Sequence, residues 1–230
     1  MTKTITDMSN SEYTYYGFDI CVGGYFEMPT SDARKLLPSH LEPMEVQHER
    51  SILAITAFHF TESMVGVYDE VVLAIVVPPR VEPGKPLSKA AFYPFMVGTS
   101  TPESREHAIE RWRLPHYMKD VDIDFARDGG QVTVTVTDEG APVLDLVVTE
   151  FEPSSAANLY TCFTVDPESR FKVNLVMEAE HSEHEEETGS LTLYEHPITE
   201  GLTIADVNTY PFREEWYGPG MQTFDPMESF

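Results

Sequence analysis

The residues best equipped for chemistry form one stretch, Ile109-Glu110-Arg111-Trp112-Arg113-Leu114-Pro115-His116-Tyr117-Met118-Lys119-Asp120-Val121. Pro115 restricts both its own backbone and that of Leu114, which suits the wall of a site. His116 can move protons near neutral pH. Arg111, Arg113 and Tyr117 can steady an enolate or a carboxylate. If residues 115–119 form one helical turn, Lys119 shares a face with His116 and becomes a candidate amine nucleophile. A second cluster, His181-Ser182-Glu183-His184-Glu185-Glu186-Glu187, has metal-ligand residue types. It reads as a solvated charged loop, because an ordered zinc site needs three or four fixed ligands with outer support. No metal is expected.

The elements that must position these groups are mostly strands. Residues 18–28 read as a strand with a bend or bulge at Gly23-Gly24. A short helix over 33–37 follows the cap signal Thr30-Ser31-Asp32 and ends at Pro38. Residues 51–60 alternate weakly, and Val71 to Val77 is an apolar run of strand length. A further strand is expected over 90–97, then a helix over 100–112 capped near Thr101-Pro102-Glu103. Residues 121–125 are strand-like. The strict alternation of 131–137 marks a half-buried strand, and 143–151 returns from the turn Asp138-Glu139-Gly140. More strands are expected over 160–165, 171–179, 190–194 and 202–210. The fold class is α+β, mainly antiparallel β. Residues 1–17 read as an N-terminal arm and 18–230 as a single domain.

The chain carries 15 Lys and Arg against 39 Asp and Glu, a formal charge of −24. Nucleic acid and anionic membranes both need a basic face, so neither is an expected partner. No apolar run is long enough for a transmembrane helix, and residues 1–4 begin no apolar signal core, so the expected location is cytoplasmic. Cys21 and Cys162 are isolated and read as buried free thiols.

Four phrases, in order, resemble the acetoacetate decarboxylase-like superfamily. They are Ala33-Arg34-Lys35-Leu36-Leu37-Pro38-x-x-Leu41-Glu42-Pro43; Tyr68-x-Glu70 before the apolar run; Trp112-x-Leu114-Pro115-x-x-x-x-Asp120-Val121; and Glu215-Trp216-Tyr217-Gly218-Pro219 with Gln222-Thr223-Phe224-Asp225. The resemblance implies a twisted antiparallel sheet or barrel around a closed pocket, with few short helices. It implies a homo-oligomer. It also implies a Schiff-base lysine after Pro115, where this chain has His116, with Arg113 and Tyr117 replacing a glycine and a second lysine. Asp19 and Ala54 stand where the family has an arginine and a glutamate. Imidazole forms no stable iminium with a ketone, so the family's decarboxylation route is not expected.

What the resemblance leaves is Glu70, which lines the family's pocket. Glu70 and His116 then form an acid–base couple for proton abstraction beside a carbonyl. Tyr68, Arg111, Arg113, Tyr117, Lys119 and Trp216 surround the substrate. The expected function is a cofactor-independent lyase, isomerase or cyclase acting on a β-keto or related carbonyl compound, polyketide-like in kind. The expected partner is a small carbonyl or carboxylate molecule. Two alternatives stand beside it: a non-catalytic small-molecule-binding protein on the same scaffold, and a decarboxylase using Lys119.

Overall fold

The computed structural model describes residues 13–166 and 169–230. In chain order the elements are β1 (Thr14–Pro29), α1 (Thr30–Leu36), β2 (Glu45–Gln47), β3 (Arg50–Glu62), β4 (Tyr68–Val77), β5 (Ala90–Thr99) and α2 (Pro102–Trp112). Then follow β6 (Asp122–Asp128), β7 (Gln131–Asp138), β8 (Ala141–Thr149), β9 (Ser154–Val165), β10 (Arg170–His184), β11 (Ser190–Leu193), β12 (Arg213–Phe224) and β13 (Glu228–Ser229).

Seven strands close on themselves in the order β1-β12-β10-β9-β5-β4-β3, sealed by the pairing of β3 with β1. Each of these pairs is antiparallel except β5 with β9. A second sheet, β11-β8-β7-β6, packs against the outside of this barrel. Alternation along each strand therefore serves two compartments. On β3, Leu53, Ile55 and Ala57 meet Val134, Leu144 and Leu146 of the second sheet. Phe58 and Phe60 face the barrel interior with Tyr16, Tyr68, Trp112, Tyr160 and Tyr217.

Two irregularities decide which residues face inward. The register between β1 and β3 slips at Phe18–Ile20, so even-numbered Tyr16 and odd-numbered Cys21 share the interior. On β12, residues 217 to 220 oppose only 179 to 181 of β10, which flips the inward set from Glu215 and Tyr217 to Gln222 and Phe224. Such bulges re-aim side chains at barrel sites. Gly220 makes this one possible: a Cβ there would lie 2.4 Å from the Glu178 carbonyl and 2.5 Å from Ala179 Cβ. Gly220→Ala is expected to cost about 1–3 kcal/mol, read as a lower urea midpoint.

Several expectations are corrected. Residues 14–17 belong to β1, and 1–12 lie outside the described residues. α1 begins at Thr30, so Thr30-Ser31-Asp32 is its first turn, and the Asp32 carboxylate instead accepts from Lys35. Residues 181–184 end β10, with His181 buried, so this segment is not a solvated loop. The stretch 202–210 is not a strand. Ile204–Asp206 forms a 3-10 turn, and Asn208 N–H and Thr209 C=O bond to Glu27 and Leu191. Among the described residues no helix is long and apolar enough to cross a membrane.

Candidate active site

The barrel interior is not filled. A cavity of about 130 Å³ lies between the strands and α2. α2 closes it because its sequence ends cleanly at both sides. Thr101 Oγ1 accepts from Ser104 N–H at the start, and Arg113 adopts the left-handed conformation (φ 56°) that stops the helix. His107, Ala108, Trp112 and Leu114 line the cavity from this side.

Two carboxyl groups line the cavity in opposite states. Glu70 comes from β4, where Tyr68 and Glu70, two residues apart, point to the same face. No hydrogen bond or ion pair engages the Glu70 carboxyl among the described residues. Burial alone raises its pKa to about 8. Its charge, when present, would be felt by Tyr16, Tyr68 and Cys162, whose pKa values rise first through burial and then through Glu70. The Cys162 thiol is pushed up to about 12. The Tyr68 hydroxyl likewise has no partner among the described residues, so it is free to donate into the cavity. Tyr16 is held differently: Trp112 Nε1–H donates to its oxygen at 2.8 Å, and His107 Nε2 lies 2.6 Å away. Burial, then Arg111, lowers the His107 pKa, which keeps the imidazole neutral. Tyr16→Phe would leave the indole N–H unpaired and is expected to cost about 1–3 kcal/mol in urea unfolding.

Glu215 sits three strands away across β1 and β3, level with Val72 and so two residues along β4 from Glu70. The three strand steps alone span roughly 14 Å along the wall. Burial alone would raise its pKa, but His181, Lys89 and Tyr25 outweigh burial and bring it down to about 2. Lys89 Nζ lies 2.9 Å from Glu215 Oε1 and 2.5 Å from Glu183 Oε2. Tyr25 donates to Glu215 at 2.9 Å, while Tyr160 links Glu215 to Tyr217, which accepts from Asn158. His181, Glu183 and Glu215 bring three donor atoms within 4.8 Å of one another. The Lys89 ammonium, bonded to both carboxylates, is the cation that serves this cluster. One enclosed carboxyl held neutral and another held ionised is the arrangement that separates acid–base roles in enzyme sites.

No family model and no curated protein matches the sequence. Solved structures do match. An acetoacetate decarboxylase superposes with TM-score 0.64 at 12% identity, over 100% of this chain and 95% of its own. An acetoacetate decarboxylase-like enzyme from Sphingomonas wittichii RW1 gives 0.63 at 14%, over 95% and 92%. The enduracididine biosynthesis enzyme MppR, complexed with pyruvate, gives 0.63 at 13%, over 94% and 89%. The chain has the acetoacetate decarboxylase-like fold.

Within this acetoacetate decarboxylase-like fold, the residues singled out from sequence scatter. Glu70 and Tyr68 line the cavity together. His116 does not line it and is not paired with Glu70. After the left-handed Arg113 the chain is extended, not helical, and His116 bridges Val97 at the edge of β5. Its Nδ1 is 2.6 Å from the Tyr117 carbonyl and Nε2 3.3 Å from Thr99 Oγ1, which assigns the proton to Nδ1. Burial lowers its pKa. Lys119 lies exposed between Glu139 and Asp138, and the Glu139 hydrogen bond chiefly raises its pKa. An amine nucleophile needs the opposite shift. Tyr117 donates to Asp138, which His196 also faces at 3.2 Å. Arg111 donates to Thr14 Oγ1 and lies over the Trp112 ring, outside the cavity lining. Arg113 is exposed and serves α2 through its backbone. Trp216 points away from the cavity into the core against the second sheet, with Arg127 over its ring.

Among the cavity-lining residues, sequence reasoning did not place Tyr16, His107, Trp112 or Glu215 at the site. Trp112 and Glu215 were present in the matching phrases. The available signal was strand parity: in Glu215-Trp216-Tyr217 the outer two share a face, and the middle one cannot join them.

Proposed function

We propose that the protein is an enzyme that moves a proton at the carbon beside a carbonyl, using Glu70 and no Schiff base. The observation that carries this reading is the unpartnered Glu70 carboxyl in the aromatic cavity, with a pKa of about 8. A general base or acid works best when its pKa lies near the working pH. The ionised carboxylate takes the α-proton, the C–H electron pair becomes the enolate π bond, and the carbonyl oxygen gains the negative charge. The Tyr68 hydroxyl, two residues away on the same face, donates to that oxygen. The protonated Glu70 then returns the proton. Enolisation of this kind is the shared first step of dehydration, aldol-type and cyclisation chemistry, so the reading supports a lyase or isomerase. The acetoacetate decarboxylase-like fold supports carbonyl chemistry in general. Among the described residues lining the cavity there is no lysine, which argues against an amine route.

The acid–base role expected of His116 has no counterpart here; the histidine on the cavity wall is His107. Neutral and hydrogen-bonded to Tyr16 inside the cavity wall, His107 orients that phenol on the Glu70 side. The test is deuterium exchange at the methyl group of acetophenone in D2O, followed by proton NMR. Exchange accelerated by the protein and lost in Glu70→Gln supports the reading. Binding without exchange would make the protein a carrier and overturn it.

A further inference from the structure

We infer that the cavity selects an uncharged aryl carbonyl compound and rejects keto acids. The carbonyl in that description rests on the proposed proton transfer; the ring and the absence of charge do not.

The ring follows from shape and lining. A cavity of about 130 Å³ is on the scale of one benzene ring. Phe58, Phe60, Phe92, Trp112, Tyr160 and Phe224 present faces and edges to it. Aromatic pairs gain from offset or edge contacts beyond the area they bury.

The absence of charge follows from electrostatics. Among the described residues lining the cavity there is no lysine and no arginine. His107, a lining base, is held neutral by burial and by Arg111. Among the described residues, two cations near the cavity are held by carboxylates and a third, outside its lining, by a hydroxyl. Lys89 is shared by Glu183 and Glu215, Arg213 pairs with Glu183 and Glu185, and Arg111 donates to Thr14. Glu215, in contrast, lines the cavity as a fixed anion. A substrate carboxylate would therefore lose its water, find no cation among the described lining residues and meet a like charge. A neutral ketone meets the Tyr68 hydroxyl and a Glu70 carboxyl that is mostly protonated at neutral pH. Both can donate to its oxygen.

The experiment compares 3-benzoylpropionate with its methyl ester, two molecules that share ring and ketone and differ in charge. Isothermal titration calorimetry of the wild-type protein at pH 7 reads each Kd, and no variant is needed. The ester is expected to bind about 100-fold more tightly, the direction that burying an unpaired carboxylate requires. Equal or tighter binding of the acid would overturn the inference, as would failure of both to bind up to about 1 mM. Calorimetry reads binding and the exchange assay reads catalysis, so the two readings fail separately. Ester preference without α-proton exchange keeps this inference and sinks the enzyme. Exchange with acid preference does the reverse.

Discussion

Glu70→Gln should lower protein-catalysed α-proton exchange of acetophenone by about 100- to 10,000-fold, the range a general base contributes. The amide fills the same space and removes only the ionisable group, so binding of the ketone should change little. The loss belongs in kcat rather than KM. The wild-type pH profile carries the sharper test. A base must be ionised to act, and burial holds the Glu70 carboxyl at about 8. The kcat/KM for exchange should therefore rise between pH 6 and pH 9 with its midpoint near 8. A profile flat over that window, or one that falls, would remove Glu70 from the base role.

The same group should leave an opposite mark on stability. The folded pKa of Glu70 is raised from 4.5 to about 8, so the folded protein keeps a proton that the unfolded chain releases. Stability from this group is full below pH 4.5 and declines as pH rises toward 8, at up to about 1.4 kcal/mol per pH unit. Glu70→Gln should consequently raise the melting temperature at pH 9 and leave it unchanged at pH 4. A variant that loses activity and gains alkaline stability carries the signature of a functional group kept at structural cost. A merely structural glutamate would lose both.

The sequence made some of this legible, for physical reasons that differ residue by residue. Tyr68 and Glu70 were readable because Tyr-x-Glu precedes an apolar run. That run had to be a buried strand, and spacing of two fixes a shared face. The helix ending at Trp112 was readable from its caps. His107 was not, since nothing in a helix sequence says that its neighbour across the barrel will be Tyr16. The strand from 213 to 224 shows why Trp216 misled: tryptophan draws attention, yet parity puts Glu215 and Tyr217 in the cavity and Trp216 in the core. The bulges at Phe18–Ile20 and Tyr217–Gly220 break the alternation that any pattern reading relies on. Only the close backbone approach at Gly220 explains the second. His116 drew interest through the family phrase, but the left-handed turn at Arg113 sends the chain along β5 instead of into the barrel.

Lys89→Met should destabilise the protein by about 2–3 kcal/mol in urea unfolding, because it leaves the buried Glu215 carboxylate without its cation, less than a fully buried pair would lose since Lys89 itself reaches solvent. Glu215 is 5% exposed, and Lys89 Nζ bonds it at 2.9 Å. Without the ammonium, Tyr25, Tyr160 and His181 are left to support the charge, so the Glu215 pKa should climb from about 2. The sign of the pH effect follows. A carboxyl whose folded pKa is depressed contributes stability that is present above pH 4.5 and disappears as pH falls toward 2. The wild type should lose this contribution across that window, whereas Lys89→Met should lose far less, having little left to lose. Adding Glu215→Gln to Lys89→Met removes the stranded charge and should restore part of the deficit, since replacing both partners costs less than breaking the pair. If the double variant were as unstable as the sum of the two single ones, Lys89 and Glu215 would be energetically independent. Lys89 would then not be what holds Glu215 ionised, and the inferred preference for uncharged ligands would lose that support.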